Sequence, residues 1–107
     1  MKKFVFISIR SITLIMLIPI FCNGQMHLKK ANRLYDNLAF AEALPEYQKA
    51  LESDSSNSEA IFRIAHCYRL TNNMQGAEKW YGKAVHLKEA RPSHIIYYTE
   101  ALMSNGN

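Results

Sequence analysis

Displacing the sequence by 34 residues superposes Ala31 on Ala65, Ala43 on Ala77, Tyr47 on Tyr81, Lys49 on Lys83 and Ala50 on Ala84. Conservative matches fill the intervals: Leu28 on Phe62 on Ile96, Leu34 on Tyr68 on Leu102, and Leu51 on Val85. A fixed period of roughly 20 to 50 residues constrains a chain strongly, because each unit is one supersecondary element whose apolar face is buried only by its neighbour. The chain therefore stacks like units in a row.

Each unit reads as helical. Ile61, Ile64, Ala65 and Tyr68 fall at helical spacing, as do Ala77, Tyr81 and Ala84, and no segment alternates apolar and polar residues over a useful length, so strands are not expected. The first unit repeats this pattern with Ala31, Leu34, Ala43, Tyr47 and Ala50. The alanines let two antiparallel helices approach closely, and the tyrosines fill the space between neighbouring hairpins. Ser56-x-x-Glu59 has the form of a capping box that opens a helix. Thr71-Asn72-Asn73 supplies a turn, the next helix is expected over Met74 to His86, and Pro92 favours a further helix through about Ser104. Pro45 is expected near the first turn of its helix, where the missing N–H costs little.

A 34-residue unit of two helices, with Ile61-x2-Ile64-Ala65-x2-Tyr68 followed by Ala77-x3-Tyr81-x2-Ala84, resembles the tetratricopeptide superfamily over about 80 residues. The fold class implied is all-α: antiparallel helical hairpins stacked as a short tetratricopeptide (TPR) solenoid of about two and a half repeats after an amino-terminal signal segment. The division is residues 25–57 as unit 1, 58–91 as unit 2 and 92–107 as the first helix of an incomplete unit 3. More narrowly, LYDNLAFAEALPEYQKAL, CYRLTNNMQGAEKWYGKAV and YYTEALMSNGN are similar to the amino-terminal repeats of exported, multidomain OmpA-family envelope proteins, some of them tied to type IX secretion. That resemblance implies an adaptor of the bacterial cell envelope, and none of its peptidoglycan-binding residues carries over to this chain.

Residues 1–24 read as an address. Lys2, Lys3 and Arg10 precede the run Ile12–Phe21, broken only by Thr13 and Pro19, which is the layout of a secretory signal peptide. The run is too short to span a bilayer, which takes about 20 residues. Small residues at Cys22 and Gly24 place cleavage before Gln25. Lipidation at Cys22 is the lesser alternative, since Phe21 and Pro19 occupy positions where lipoprotein signals carry small residues and Leu. Periplasmic or outer-membrane association follows, with the membrane met only through the signal segment.

Those three cations also account for most of the +4 formal charge. Of the 13 Lys and Arg, ten lie from Gln25 onward, against all nine Asp and Glu, so nucleic acid is not implied. Cys67, the only cysteine after the signal, has no partner for an internal disulfide. His27, His66, His86 and His94 form no pair at metal-ligand spacing. His66 and its neighbour Cys67 diverge by about 100° on a helix and share no face. Glu42 and Glu46 stack one turn apart and read as an exposed acidic pair. No phosphate loop or nucleophile motif is present, so no metal, no cofactor and no enzymatic activity are expected. Trp80 reads as a packing residue rather than a ligand platform.

Ligands of the superfamily lie along the face made by the first helix of each hairpin. By period, that face carries Leu28, Asn32, Tyr35, Phe62, His66, Arg69, Ile96, Glu100 and Met103. Aromatic and Met side chains suit an apolar helix or strand, and Arg69 suits an acidic group. The plainer reading makes Phe62 and Ile96 interhelical core and Arg69 solvated. A carboxylate clamp would need more cations than Arg69 beside Asn32. The third unit's single helix leaves Ile95, Ile96, Tyr98 and Leu102 without a following helix, so a continuation of the chain or another envelope protein is expected to cover it. A cell-wall or glycan-associated module is the alternative from another class, and a cryptic enzyme the third.

Overall fold

The computed structural model describes residues 23–106, and the whole of the expected signal except Asn23 and Gly24 lies outside them. Among the described residues there are five helices and no strand: α1 over residues 23–36, α2 (Phe40–Ser53), α3 (Ser58–Leu70), α4 (Met74–Ala84) and α5 (Pro92–Ser104). α2 packs on α3, α3 on α4 and α4 on α5, the succession of a helical solenoid. None of the described helices is long and apolar enough to cross a membrane.

The core consists of two clusters of the same anatomy, one period apart. In the first, Ala31 of α1 meets Ala43 and Tyr47 of α2 and Ala60, Ile64 and Cys67 of α3. In the second, Ala65 of α3 meets Ala77 and Tyr81 of α4 and Ala101 of α5, with Tyr97 and Tyr98 packed alongside. Every cluster thus takes a small residue from one hairpin's first helix, an alanine and a tyrosine from its second, and the first helix of the next hairpin. Both tyrosines are fully buried, as rings that bridge three helices must be.

The local signals are satisfied with some changes of detail. Asn57, not Ser56, caps α3, its Oδ1 accepting from the Ala60 N–H at 3.0 Å, while Ser56 turns back to Asp54. Asn lies directly before the first helical residue and makes the bond the capping box assigned one position earlier. α4 ends at Ala84 rather than His86, with Val85 as its C-cap. Pro45 is the sixth residue of α2, just past the first turn where it was expected, and its missing N–H is tolerated on the exposed side of that helix. Glu46 is not half of an exposed acidic pair: it is buried against α1, where His27 Nδ1 lies 2.6 Å and Lys30 Nζ 3.1 Å from its carboxylate. The hydrogen bond from His27, followed by Lys30 and Lys49, holds its pKa below the usual carboxylate value. Its counterpart 34 residues on is Trp80, half-buried against the core, so charge does at the start of the stack what a ring does in its middle.

Helix ends repeat too. Leu38 N–H donates to Tyr35 O and Ala39 N–H to Leu34 O, and one period later Asn72 N–H donates to Arg69 O and Asn73 N–H to Tyr68 O. This paired closure of a helix end needs a left-handed residue, usually Gly or Asn, and Leu38 (φ 63°) and Asn72 (φ 60°) occupy it. Leu38 is also 74 % exposed, so packing does not repay its strain. Leu38→Asn is expected to stabilise the protein by about 1 kcal/mol, measured as a higher midpoint in urea.

Candidate functional site

The nine residues assigned to the ligand face divide into two sets. Six are engaged within the stack. Tyr47 Oη donates to Asn32 Oδ1 at 2.6 Å, and Asn32 Nδ2 lies 3.4 Å from Glu59 Oε1. Tyr35 meets Phe40 and Tyr47 edge-on, with Arg63 4.5 Å above its ring. Phe62 stacks on His94 at 4.1 Å. Arg69 lies 3.9 Å over the Tyr97 ring, and half-buried Leu28 packs against the first core cluster. Arg69 is accordingly engaged with a ring and a hydroxyl rather than simply solvated, and Phe62 makes an interhelical contact while staying half-buried, outside both core clusters.

Two of these contacts recur with the period. The Tyr47–Asn32 hydrogen bond returns as Tyr81 Oη to His66 Nδ1, again at 2.6 Å. The Tyr35–Arg63 cation–π pair returns as Arg69–Tyr97, cation and ring having exchanged places. Both exchanges preserve the chemistry: an acceptor for the tyrosine hydroxyl in one case, a positive charge against a π-face in the other.

The second site is the more elaborate. Arg69 Nε–H donates to Tyr81 Oη at 3.3 Å, which leaves the Tyr81 O–H available to donate to His66 Nδ1 in the tautomer that carries its proton on Nε2. His66 also meets Tyr97 at 5.7 Å edge-on and lies 5.7 Å from His94. Burial first, then His94, Arg69 and Arg63, bring its pKa down to about 4. His94 Nδ1 accepts from the Arg91 N–H at 3.0 Å, and burial followed by Arg91 lowers its pKa too. Neither imidazole is set up as a metal ligand, and no metal-binding group of three or more His, Cys, Asp or Glu exists among the described residues. Cys67 faces the other core cluster, where burial raises its thiol pKa to about 11, far from a reactive thiolate.

Neutral His66 makes the stack acid-sensitive. Unfolded, it titrates at its ordinary value of 6.5; folded, at about 4. Between those values the unfolded chain binds more protons, so stability decreases as pH falls from 6.5 towards 4. Glu46, with its lowered pKa, adds its loss below the usual carboxylate range. Thermal melts across this window are expected to slope downward with acid, and His66→Asn, which installs the acceptor used in the first hairpin, to flatten that slope.

The remaining three residues, Ile96, Glu100 and Met103, lie on α5. Ile96 is 64 % and Met103 72 % exposed, and with Ile95, Thr99 and Glu100 they line one shallow apolar face. No hydrogen bond or ion pair to the Glu100 carboxylate exists among the described residues. The contrast one period earlier is direct: Ile61 is 7 % exposed where Ile95 is 55 %, and Ala65 is fully buried where Thr99 is exposed. Ile95 and Ile96 are open as expected of the third unit's helix, and Thr99 joins them because no described helix covers it; Tyr98 and Leu102, expected on the same open edge, are half-buried instead, Tyr98 against the second core cluster.

None of the curated proteins searched matches the chain. The tetratricopeptide repeat family matches residues 34–93, from the last turn of α1 to the first turn of α5, more than half of the 107 residues. This is generally a non-catalytic fold that binds other proteins, and the chain belongs to the tetratricopeptide repeat family.

Proposed function

We propose that this chain is an adaptor of the bacterial cell envelope that holds another envelope protein through the exposed face of α5. The observation that carries this reading is the run of Ile95, Ile96 and Met103 in solvent on one side of a helix whose opposite side is anchored: Asn105 Nδ2 donates to Met74 O at 2.9 Å and to Glu78 at 3.1 Å. An apolar face on a well-anchored helix marks an interaction surface. Residues 1–24 act as the export signal, and residues 25–57, 58–91 and 92–107 are the two complete units and the opening helix of a third.

Within the ligand face, Ile96, Glu100 and Met103 make contact, while Leu28, Asn32, Tyr35, Phe62, His66 and Arg69 hold the curvature that presents them. The internal use of Tyr35, Phe62 and Tyr97 rings leaves few free stacking surfaces for a glycan. A photo-reactive residue at position 103, activated in cells, is expected to capture one envelope protein, whereas capture of cell-wall material alone would overturn the reading. Mass spectrometry of the mature chain is expected to show an amino terminus at Gln25; acylated Cys22 would replace the soluble form with a lipoprotein.

A further inference from the structure

We propose that His94 and His66 form an acid-operated latch that releases α5 from the stack while α1, α2 and α3 stay packed. Release dismantles the exposed face of α5, and that consequence alone rests on the adaptor reading above.

α5 is held lightly. Of its 13 residues only His94 and Ala101 are buried, against five in α3, so an imidazole is half of its buried hold. His94 stands one period after fully buried Ala60, and the start of the helix is closed the other way round. In α3 the Asn57 side chain accepts from the Ala60 N–H; in α5 the His94 side chain accepts from the Arg91 N–H at 3.0 Å. A backbone N–H can only donate, so His94 Nδ1 carries no proton. Protonation of the ring sets a second donor against the first and breaks the cap. The other imidazole, His66, takes the place of Asn32 as partner of a tyrosine hydroxyl. Both titrating groups of this junction therefore lie where the preceding unit has an amide or an alanine.

Their surroundings leave a positive charge uncompensated. His94 faces Phe62 and His66 of α3, with ring centroids 4.1 Å and 5.7 Å away, and Arg91 at its own helix end acts against its charge. His66 faces Tyr81 of α4 and Tyr97 of α5, and His94, Arg69 and Arg63 all act against a charge on it. Among the described residues no carboxylate acts on either ring. The Phe62 face favours a cation, but burial outweighs it and both rings titrate below 6.5 in the fold. Once α5 lifts away both rings meet water and return towards 6.5, so the released state binds more protons and gains as pH falls below that value. Glu46, the acid-sensitive group of the first hairpin, has its pKa lowered from 4.5, so the two ends of the stack respond in separate windows.

Amide hydrogen exchange of the full chain in mild detergent, corrected for the intrinsic rate at each pH, tests the latch. Protection of α5 is expected to fall at least about tenfold between about pH 7 and about pH 5, and α2 and α3 to stay at least about tenfold better protected than α5 at both values. His94→Gln supplies an acceptor at the third helical position that does not titrate. Together with His66→Asn it is expected to hold the change in α5 to within about twofold. His94→Ala, the residue α3 has at this place, paired with the same His66→Asn, is a second variant read by the ratio between the two pH values rather than by the protection itself. Acid-independent protection of α5, protection of α5 equal to that of α3, or an undiminished ratio in both double variants would overturn the proposal. None of these results depends on a partner: loss of the latch leaves the adaptor reading standing, and failed capture at position 103 leaves the latch.

Discussion

Tyr81→Ala is expected to remove about 3–5 kcal/mol of stability, a large part of the 5–15 kcal/mol, in order of magnitude, that holds a small domain folded. The ring is fully buried where α3, α4 and α5 meet, so its loss opens a cavity that three helices cannot close together. The substitution also strands Arg69 Nε and His66 Nδ1, both bonded to the hydroxyl. Tyr81→Phe keeps the volume and removes only those bonds, at a cost of about 1–3 kcal/mol. Urea unfolding of the two variants separates the contributions. Equal losses would mean that the hydroxyl, rather than the ring, dominates the junction, and a loss under 1 kcal/mol for the alanine variant would refute the three-helix account.

Gly76→Val is expected to destabilise the protein by about 2–3 kcal/mol, and Gly76→Ala by somewhat less. Gly76 lies in the first turn of α4, its N–H donating to the Asn73 side chain at 3.0 Å. Helix propensity alone would make the alanine variant more stable by about 1 kcal/mol. The opposite sign follows from Tyr68, whose ring would stand 2.5 Å from a Cβ at this position at Cδ1 and 2.7 Å at Cγ. Contact at Cγ is near the root of the side chain, so the ring cannot simply swing aside. Calorimetric melts decide the sign: a higher melting temperature for Gly76→Ala would show that Tyr68 moves freely.

The stack was legible from residues because its units are near-copies. Ala31, Ala65, Tyr47 and Tyr81 gave the period, and the structure places them in two clusters of the same anatomy. Asn73 and Pro92 marked helix starts that fall as expected, since cap and first-turn chemistry is local. Glu46 was not legible in this way. Its neighbours along the chain suggest an exposed face, and only the approach of His27 and Lys30 from α1, 19 and 16 positions back in sequence, makes it a buried carboxylate. Leu38 likewise gives no sign in sequence that it holds a left-handed position, because leucine is the wrong residue for it.

The candidate site was half legible. Counting by 34 placed Ile96, Glu100 and Met103 on one helix, and they share one exposed face. The same counting placed His66, Arg69 and Phe62 on the ligand face as equals, yet their side chains are spent on Tyr81, Tyr97 and His94. Period assigns a direction to a residue and says nothing of what meets it there. The sequence by itself determined the helices, their pairing and the repeated alanine and tyrosine core, since those depend on spacing and side-chain size within one unit. Only the tertiary structure decided which polar groups are consumed between units and which face of α5 stays open, because those depend on whether a neighbouring helix arrives to cover them.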